Sequence, residues 1–508
     1  MALLYDVAFN SQTRALSFSD RVGNNIYSCD IPSKPLTLTA LADNSSVKLM
    51  KSGTLSNTFE VNTGNGWSAY TFGDVINLNE GDQCQWRCSS HPDTQSTSNY
   101  VQFVMTGSIA ASGNCNSMLD GTNFRTMTSL EGYKYAFYML FRSCTVLMRA
   151  PALPATTLAE YCYNGMFYNC TSLTQAPALP ATELASYCYQ GMFHSCTSLV
   201  NAPQTLPATT LRRACYNVMF QGCTSLVNAP EMSFTNIPDH VSNTSYGVCY
   251  RMFYGCTSLA QVPDFPDATL EFCCFANMFE GCTALTNPPA LPSTTAPGLC
   301  YMYMFKGCTS LVRTPQLPAT TLDQKCYMNM FNGCTALTQA SNLPATIVPI
   351  EGYRGMFDGC TSLVNAPEIA ATTCTTIGDH DGVNLRSMFA NCTSLANPPE
   401  IHITTLEKQS LMYMFFNTAI TKAPLLPATT LAEGCYRYIF AGTTPIAEVR
   451  IAATTTATGA LTDWLGGTRR AEHGIVYADP SFTDLPADSR SGIPTGWARL
   501  PLSDYPTT

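Results

Sequence analysis

Apolar positions along most of this chain recur in blocks of about 26 residues, and each block has the same internal order. A Cys-Thr-(Ser/Ala/Val)-Leu tetrad starts at Cys144, Cys170, Cys196, Cys223, Cys256, Cys282, Cys308, Cys334, Cys360 and Cys392. The steps between them are 26, 26, 27, 33, 26, 26, 26, 26 and 32 residues. A fixed period of this length marks a stacked solenoid, in which one block cannot bury its own apolar face and its neighbours complete the core.

The block from Thr157 to Pro180 shows the expected local structure. Leu158, Cys162 and Met166 fall at i, i+4 and i+8, the spacing of one helix face. Thr157 with Glu160 has the form of a capping box, repeated at Thr321 with Gln324 and at Thr430 with Glu433. Three residues after each anchor the chain reads Ser143, Asn169, Ser195, Gly222, Gly255, Gly281, Gly307, Gly333, Gly359, Asn391, Asn417 and Gly442. Gly and Asn dominate that position, so it is expected to be left-handed and to end a short helix. A brief extended segment follows, Leu173 to Leu179, with Pro177 inside it and Pro180 after it. Proline donates no amide, so the ladder between coils is expected to be short or interrupted there. Each coil thus reads as a short strand plus a short helix, about twelve coils in all.

The cysteines fit this pattern as packing residues. Ten open the tetrads, and a second series runs Cys162, Cys188, Cys215, Cys249, Cys274, Cys300, Cys326 and Cys435. Both occupy recurrent apolar slots, and where the tetrad lapses the slot holds Thr418 or Thr443. The expectation is buried reduced thiols acting as small hydrophobes, with Cys170, Cys196, Cys223, Cys256, Cys282, Cys308, Cys334, Cys360 and Cys392 in the core.

Five segments follow: an arm or anchor over 1–30, an all-β sandwich-like domain over 31–112, a cap or connector over 113–139, the solenoid over 140–443, and a C-terminal cap over 444–508. In 31–112, short alternating runs are separated by turns such as Asn62-Thr-Gly-Asn-Gly66. Trp464 and Trp497 are expected to plug the last coil.

Charged residues make up only 12% of the chain, and its formal net charge is −9. With no Lys/Arg run, nucleic acid is not an expected partner. No apolar stretch is long enough for a membrane helix. The first residues lack the basic start of a secretory signal, which suggests a route to the outside other than secretion.

The coil pattern resembles the BspA-like, treponemal-type leucine-rich repeat proteins, of the kind found in gut anaerobes and their phages. Cys170, Leu173, Ala176, Leu179, Pro180, Met166 and Phe167 stand in that repeat's places, with a few residues more per coil. The resemblance covers about 140–443 and implies a leucine-rich repeat solenoid used in adhesion and surface recognition.

Candidate chemistry is sparse. No zinc, nucleophile or phosphate-loop motif appears, so no enzyme activity and no cofactor are expected. Cys84 and Cys88 share a strand face, but only His91 and Cys115 could join them around a metal. The two longer coils carry Asp239-His240 and Asp379-His380-Asp381, insertions expected to loop out on one side, either as plain surface loops or as binding elements. Asp379 and Asp381 are weak calcium candidates. Tyr163, Tyr189, Tyr216, Tyr301 and Tyr327 form a row, either packed between coils or exposed to stack on sugars.

The function expected from all this is non-enzymatic recognition or attachment. The favoured setting is a phage virion appendage (a head or tail fibre, or receptor-binding protein) on the virion surface. Its partners would be protein or glycan on a host cell and other virion subunits through the N-terminal region. Alternatives are a decoration or cementing subunit, a homo-oligomer among them, and a bacterial cell-surface adhesin.

Overall fold

The computed structural model describes residues 6–10, 15–19, 25–28, 33–90, 95–237, 247–376, 382–466, 471–487 and 491–506. It is a β-solenoid of about 11 turns with almost no helix, together with an N-terminal β-rich region. Contacts divide it into two units, Met1–Thr209 with 223–226 and 230–233, and the remainder from Thr210 onward.

In the first unit, Asp6–Asn10, Ala15–Ser19 and Asn25–Ser28 form an antiparallel meander. Two sheets follow. Ser45–Ser52 lies between Tyr100–Thr106 and Ile76–Leu78, and a six-stranded sheet runs Leu147–Arg149, Ile109–Ser112, Leu36–Ala40, Gln83–Ser90, Thr58–Asn62, Trp67–Tyr70. Alternation puts Trp86 of one sheet against Phe103 of the other, edge to face at 5.1 Å, both fully buried. The six-stranded sheet does not stop at this domain. Leu147–Arg149, part of the first coil, pairs in parallel with Ile109–Ser112.

Among the described residues the coils contain no α-helix, and this corrects the sequence reading. Each stretch expected to be helical is a staircase of four-residue turns. In one coil Lys325, Asn329 and Gly333 have φ of +58°, +52° and +73°, one left-handed residue every fourth position. Amides alternate between two uses. Met328, Met330, Asn332 and Cys334 donate to the carbonyl three residues before, closing tight turns. Lys325, Tyr327, Asn329, Phe331 and Gly333 donate to the next coil, at 2.8–3.1 Å. Each left-handed non-glycine residue costs about 1–2 kcal/mol. The inter-coil bonds and the burial of two side chains per turn offset that cost. The expected left-handed residue at Gly333 is therefore the last step of a staircase, not a helix cap.

Without helices, the capping boxes dissolve as well. Thr321 and Thr430 open two-residue strands, Thr321–Leu322 and Thr430–Leu431, and Thr157 bridges Ser129 and Glu183 in parallel. Pairing on the strand side stays minimal: isolated bridges such as Gln175↔Asn201, Arg313↔Gln339 and Asn365↔Asn397 fall between the prolines.

The core is a set of columns. In the first unit Phe103, Phe141, Phe167 and Phe193 stack ring on ring at 5.3–5.5 Å. In the second, Phe220, Phe253, Phe279, Phe305, Phe331, Phe357, Phe389, Phe415 and Phe440 do so at 5.4–5.8 Å. The second unit ends in a parallel sheet of Leu425–Leu426, Glu448–Ile451, Ile475–Ala478 and Ala498–Pro501. There Trp464, fully buried, replaces the next phenylalanine and donates its indole N–H to Gly492 O at 2.8 Å. Trp497 is 9% exposed and bonds Ala471 O at 3.0 Å.

Candidate binding surface

The tetrad cysteines Cys170, Cys196, Cys223, Cys256, Cys282, Cys308, Cys334, Cys360 and Cys392 are all 0% exposed. Each thiol donates to the carbonyl of the preceding coil's column phenylalanine, from Cys170 to Phe141 at 3.0 Å through Cys392 to Phe357 at 3.0 Å. The slot thus asks for a small apolar residue with one weak donor. Where Thr418 and Thr443 fill it, the hydroxyl bonds within its own coil, to Phe415 O and Phe440 O. Burial pushes the thiols of Cys196, Cys334 and Cys392 up to about 12. The 23 cysteines among the described residues are all buried thiols.

The tyrosine row is interior, which corrects its candidacy as a sugar platform. Tyr163, Tyr189 and Tyr216 are 1% exposed, Tyr301 and Tyr327 2%. Tyr301 stacks on Tyr327 at 5.5 Å, and Tyr163 on Tyr189 at 5.8 Å. Desolvation raises the phenol pKa of Tyr163, Tyr301 and Tyr327 well above its ordinary value. Asp239, His240, Asp379, His380 and Asp381 lie outside the described residues, as does His91. Cys84 and Cys88 are buried: Cys84 Sγ accepts from Trp86 Nε1 at 3.3 Å, and Cys88 donates to Ser90 O at 3.1 Å. Among the described residues no group of three or more His, Cys, Asp or Glu is placed to hold a metal ion, and no helix is long and apolar enough to cross a membrane.

Two surfaces of different chemistry remain in the second unit. The staircase surface carries the charges: Lys306 pairs with Glu280 at 3.2 Å, Lys325 and Arg354 with Glu351 at 3.4 and 2.8 Å, and Lys408 with Glu433 at 3.5 Å. Aromatic rings join them. Tyr413 stacks on Tyr438 at 4.8 Å, and Lys306 lies over Tyr303 at 5.0 Å. A matching half-exposed row in the first unit, Tyr135, Tyr161 and Tyr187, stacks at 4.6 and 4.5 Å. Sequence reasoning passed over that row. Its tyrosines sit two residues before the buried ones, on the outward half of each four-residue turn.

The strand surface is almost uncharged. Its first column is Thr257, Thr283, Thr309, Thr335, Thr361 and Thr393. Three residues further on stand Ala260, Thr286, Val312, Thr338, Val364 and Ala396, and beside them Gln261, Asn287, Arg313, Gln339, Asn365 and Asn397. Val312 and Val364 are 44% and 43% exposed, among the most exposed large apolar residues described. The Thr283, Thr335 and Thr361 hydroxyls donate to the threonine carbonyl one coil back, which turns their lone pairs outward. Asn397 Nδ2 donates to Asn365 Oδ1 at 2.6 Å. Arg313 is the single charge in these columns.

Comparison with protein families matches residues 228–363, 276–398 and 303–459 to the BspA type leucine-rich repeat region, in six copies. Comparison with curated proteins finds no match.

Proposed function

The chain belongs to the BspA-like leucine-rich repeat proteins, and on that premise we propose that it is a non-enzymatic recognition protein displayed outside a cell. Repeats of this family point to a surface or protein-binding role, and such solenoids typically serve as binding scaffolds. The observation that carries the reading is the separation of roles within each coil. Thiols, phenylalanines and buried tyrosines satisfy the core, and two repeating surfaces are left over for contact. The setting we favour is a phage virion appendage, with the N-terminal region meeting other virion subunits and the coils meeting protein or glycan on a host. A decoration subunit and a bacterial surface adhesin are the competing settings. Labelled full-length chain applied to intact bacteria tests recognition: saturable binding supports it, and absence of binding to every strain tried removes it. Mass spectrometry of purified phage particles and of washed bacterial surfaces then separates virion from cell.

A further inference from the structure

We infer that the strand surface of the second unit receives an extended neutral polysaccharide, an inference that rests on the recognition reading above. Three features of that surface point to this class of ligand.

Its charge is wrong for anything ionic. The lysine and arginine ion pairs of these coils gather on the staircase side, and the strand columns hold Arg313 alone. Carboxylates at its margin, Glu368 and Glu400 among them, are exposed and repel acidic polymers.

Its hydrogen-bonding capacity is right for hydroxyls. The amide column of Asn365 and Asn397 offers donors and acceptors together, and Thr335 and Thr361 present outward lone pairs because their protons are already used along the column. A sugar hydroxyl is also donor and acceptor at once, so each rung can be answered in either sense.

Its apolar part is spaced like its polar part. Val312 and Val364 interleave with Thr286 and Thr338, giving methyl groups beside the amides for the C–H faces of sugar rings. The coils repeat these groups at roughly the 4.8 Å spacing of neighbouring strands, so a polymer lying across them meets the same contacts at every step. Individually weak contacts then add through repetition.

The test uses the purified full-length chain against immobilised amylose, mannan and xylan, with polygalacturonate as the charged comparator. At least one neutral polymer is expected to bind. The double variant Val312→Glu/Val364→Glu, and separately Asn365→Ala, should weaken that binding by about tenfold or more. Arg437→Ser, on the staircase side, should stay within about twofold of wild type. These side chains are exposed, and circular dichroism will show unchanged folding. Binding to none of the neutral polymers, stronger binding to polygalacturonate, or undiminished binding by the double variant would overturn the inference. Bacterial binding by the same variants is read in parallel. If cells are bound and neutral polymers are not, this inference alone fails. If cells are bound by no form of the protein, the recognition reading fails first.

Discussion

Cys144 donates its thiol proton to the carbonyl of Phe103 across 3.1 Å, the same bond that Cys170 makes to Phe141 at 3.0 Å. Phe103 belongs to the β-domain, yet its ring stacks on Phe141 at 5.3 Å and its amide donates to Leu140 O at 2.8 Å. The β-domain therefore offers the first coil the same surface that one coil offers the next. Phe103→Ala is expected to cost about 3–5 kcal/mol, and to do so by loosening the first coils. Hydrogen exchange will show lost protection around 134–150, whereas a variant far along the ladder, Phe389→Ala, will leave that segment's protection in place.

The thiols make stability depend on pH in the alkaline range. Cys196, Cys334 and Cys392 titrate at about 12 when folded, against 9.0 for a free thiol. Their folded values are raised, so the unfolded chain gives up protons first. Stability is then complete below pH 9 and declines as pH rises from 9 towards 12. Each such thiol contributes a slope of about 1.4 kcal/mol per pH unit. Urea titrations at pH 7, 8.5 and 10 will show similar midpoints for the first two and a marked drop at the third. Ellman's reagent at pH 8 should find the described thiols silent until denaturant is added.

The tetrad slot distinguishes donor from bulk. Cys308→Ala removes the Sγ–H bond to Phe279 O and leaves a small void, at a cost of about 1–2 kcal/mol. Cys308→Thr should cost less than Cys308→Val, because a threonine hydroxyl in this slot finds a carbonyl, as at Thr418 and Thr443. Denaturant midpoints of the three variants give the order directly.

Glycine at the last turn of the staircase is required by its backbone, not by space. Gly307 has φ +72°, and an added Cβ would meet Gly281 no closer than 3.9 Å. Gly307→Ala is expected to cost about 1–2 kcal/mol, and Gly307→Asn less, since Asn169, Asn391 and Asn417 hold the same conformation. At Gly355 space matters too: a Cβ there would collide with the Asn329 side-chain oxygen, so Gly355→Ala should be the worse of the two alanine variants.

Burial without a partner makes one hydroxyl dispensable. The Tyr353 hydroxyl is buried and has no hydrogen-bond partner among the described residues. Tyr353→Phe keeps the stacked ring, which lies 6.0 Å from Tyr327, and should raise stability by up to about 1 kcal/mol. A lower melting temperature would reveal a partner for that oxygen.

Much of this architecture was legible in the chain. The repeat, the thiol slots and the left-handed residue before each tetrad all follow from what recurs. The helix was misread for a definable reason. Leu158, Cys162, Met166 and Cys170 are spaced by four throughout, and on a helix of 3.6 residues per turn each such step drifts by about 40°. An unbroken four-residue period therefore suits square turns, and the burial of Cys326 and Tyr327, then Met330 and Phe331, with pairs between them turned outward, is that pattern. The tyrosine row, left open between packing and display, is decided for packing by the same period. A residue next to a buried cysteine points away on a helix, but in these turns both members of the pair face inward. The strand surface was hard to pick out because its marks are missing charge and repeated small polar groups, which resemble ordinary loop composition.

Because Phe103 presents to Cys144 what Phe279, Phe305 and Phe331 present to Cys308, Cys334 and Cys360, the junctions between the 26-residue coils from Cys282 to Cys360 are interchangeable with one another. Excising one whole 26-residue block, cysteine to cysteine, would rejoin chemically equivalent surfaces and shorten the protein by one rung. Rung number is thus a quantity that recombination between near-identical blocks can lengthen or trim without inventing a new contact.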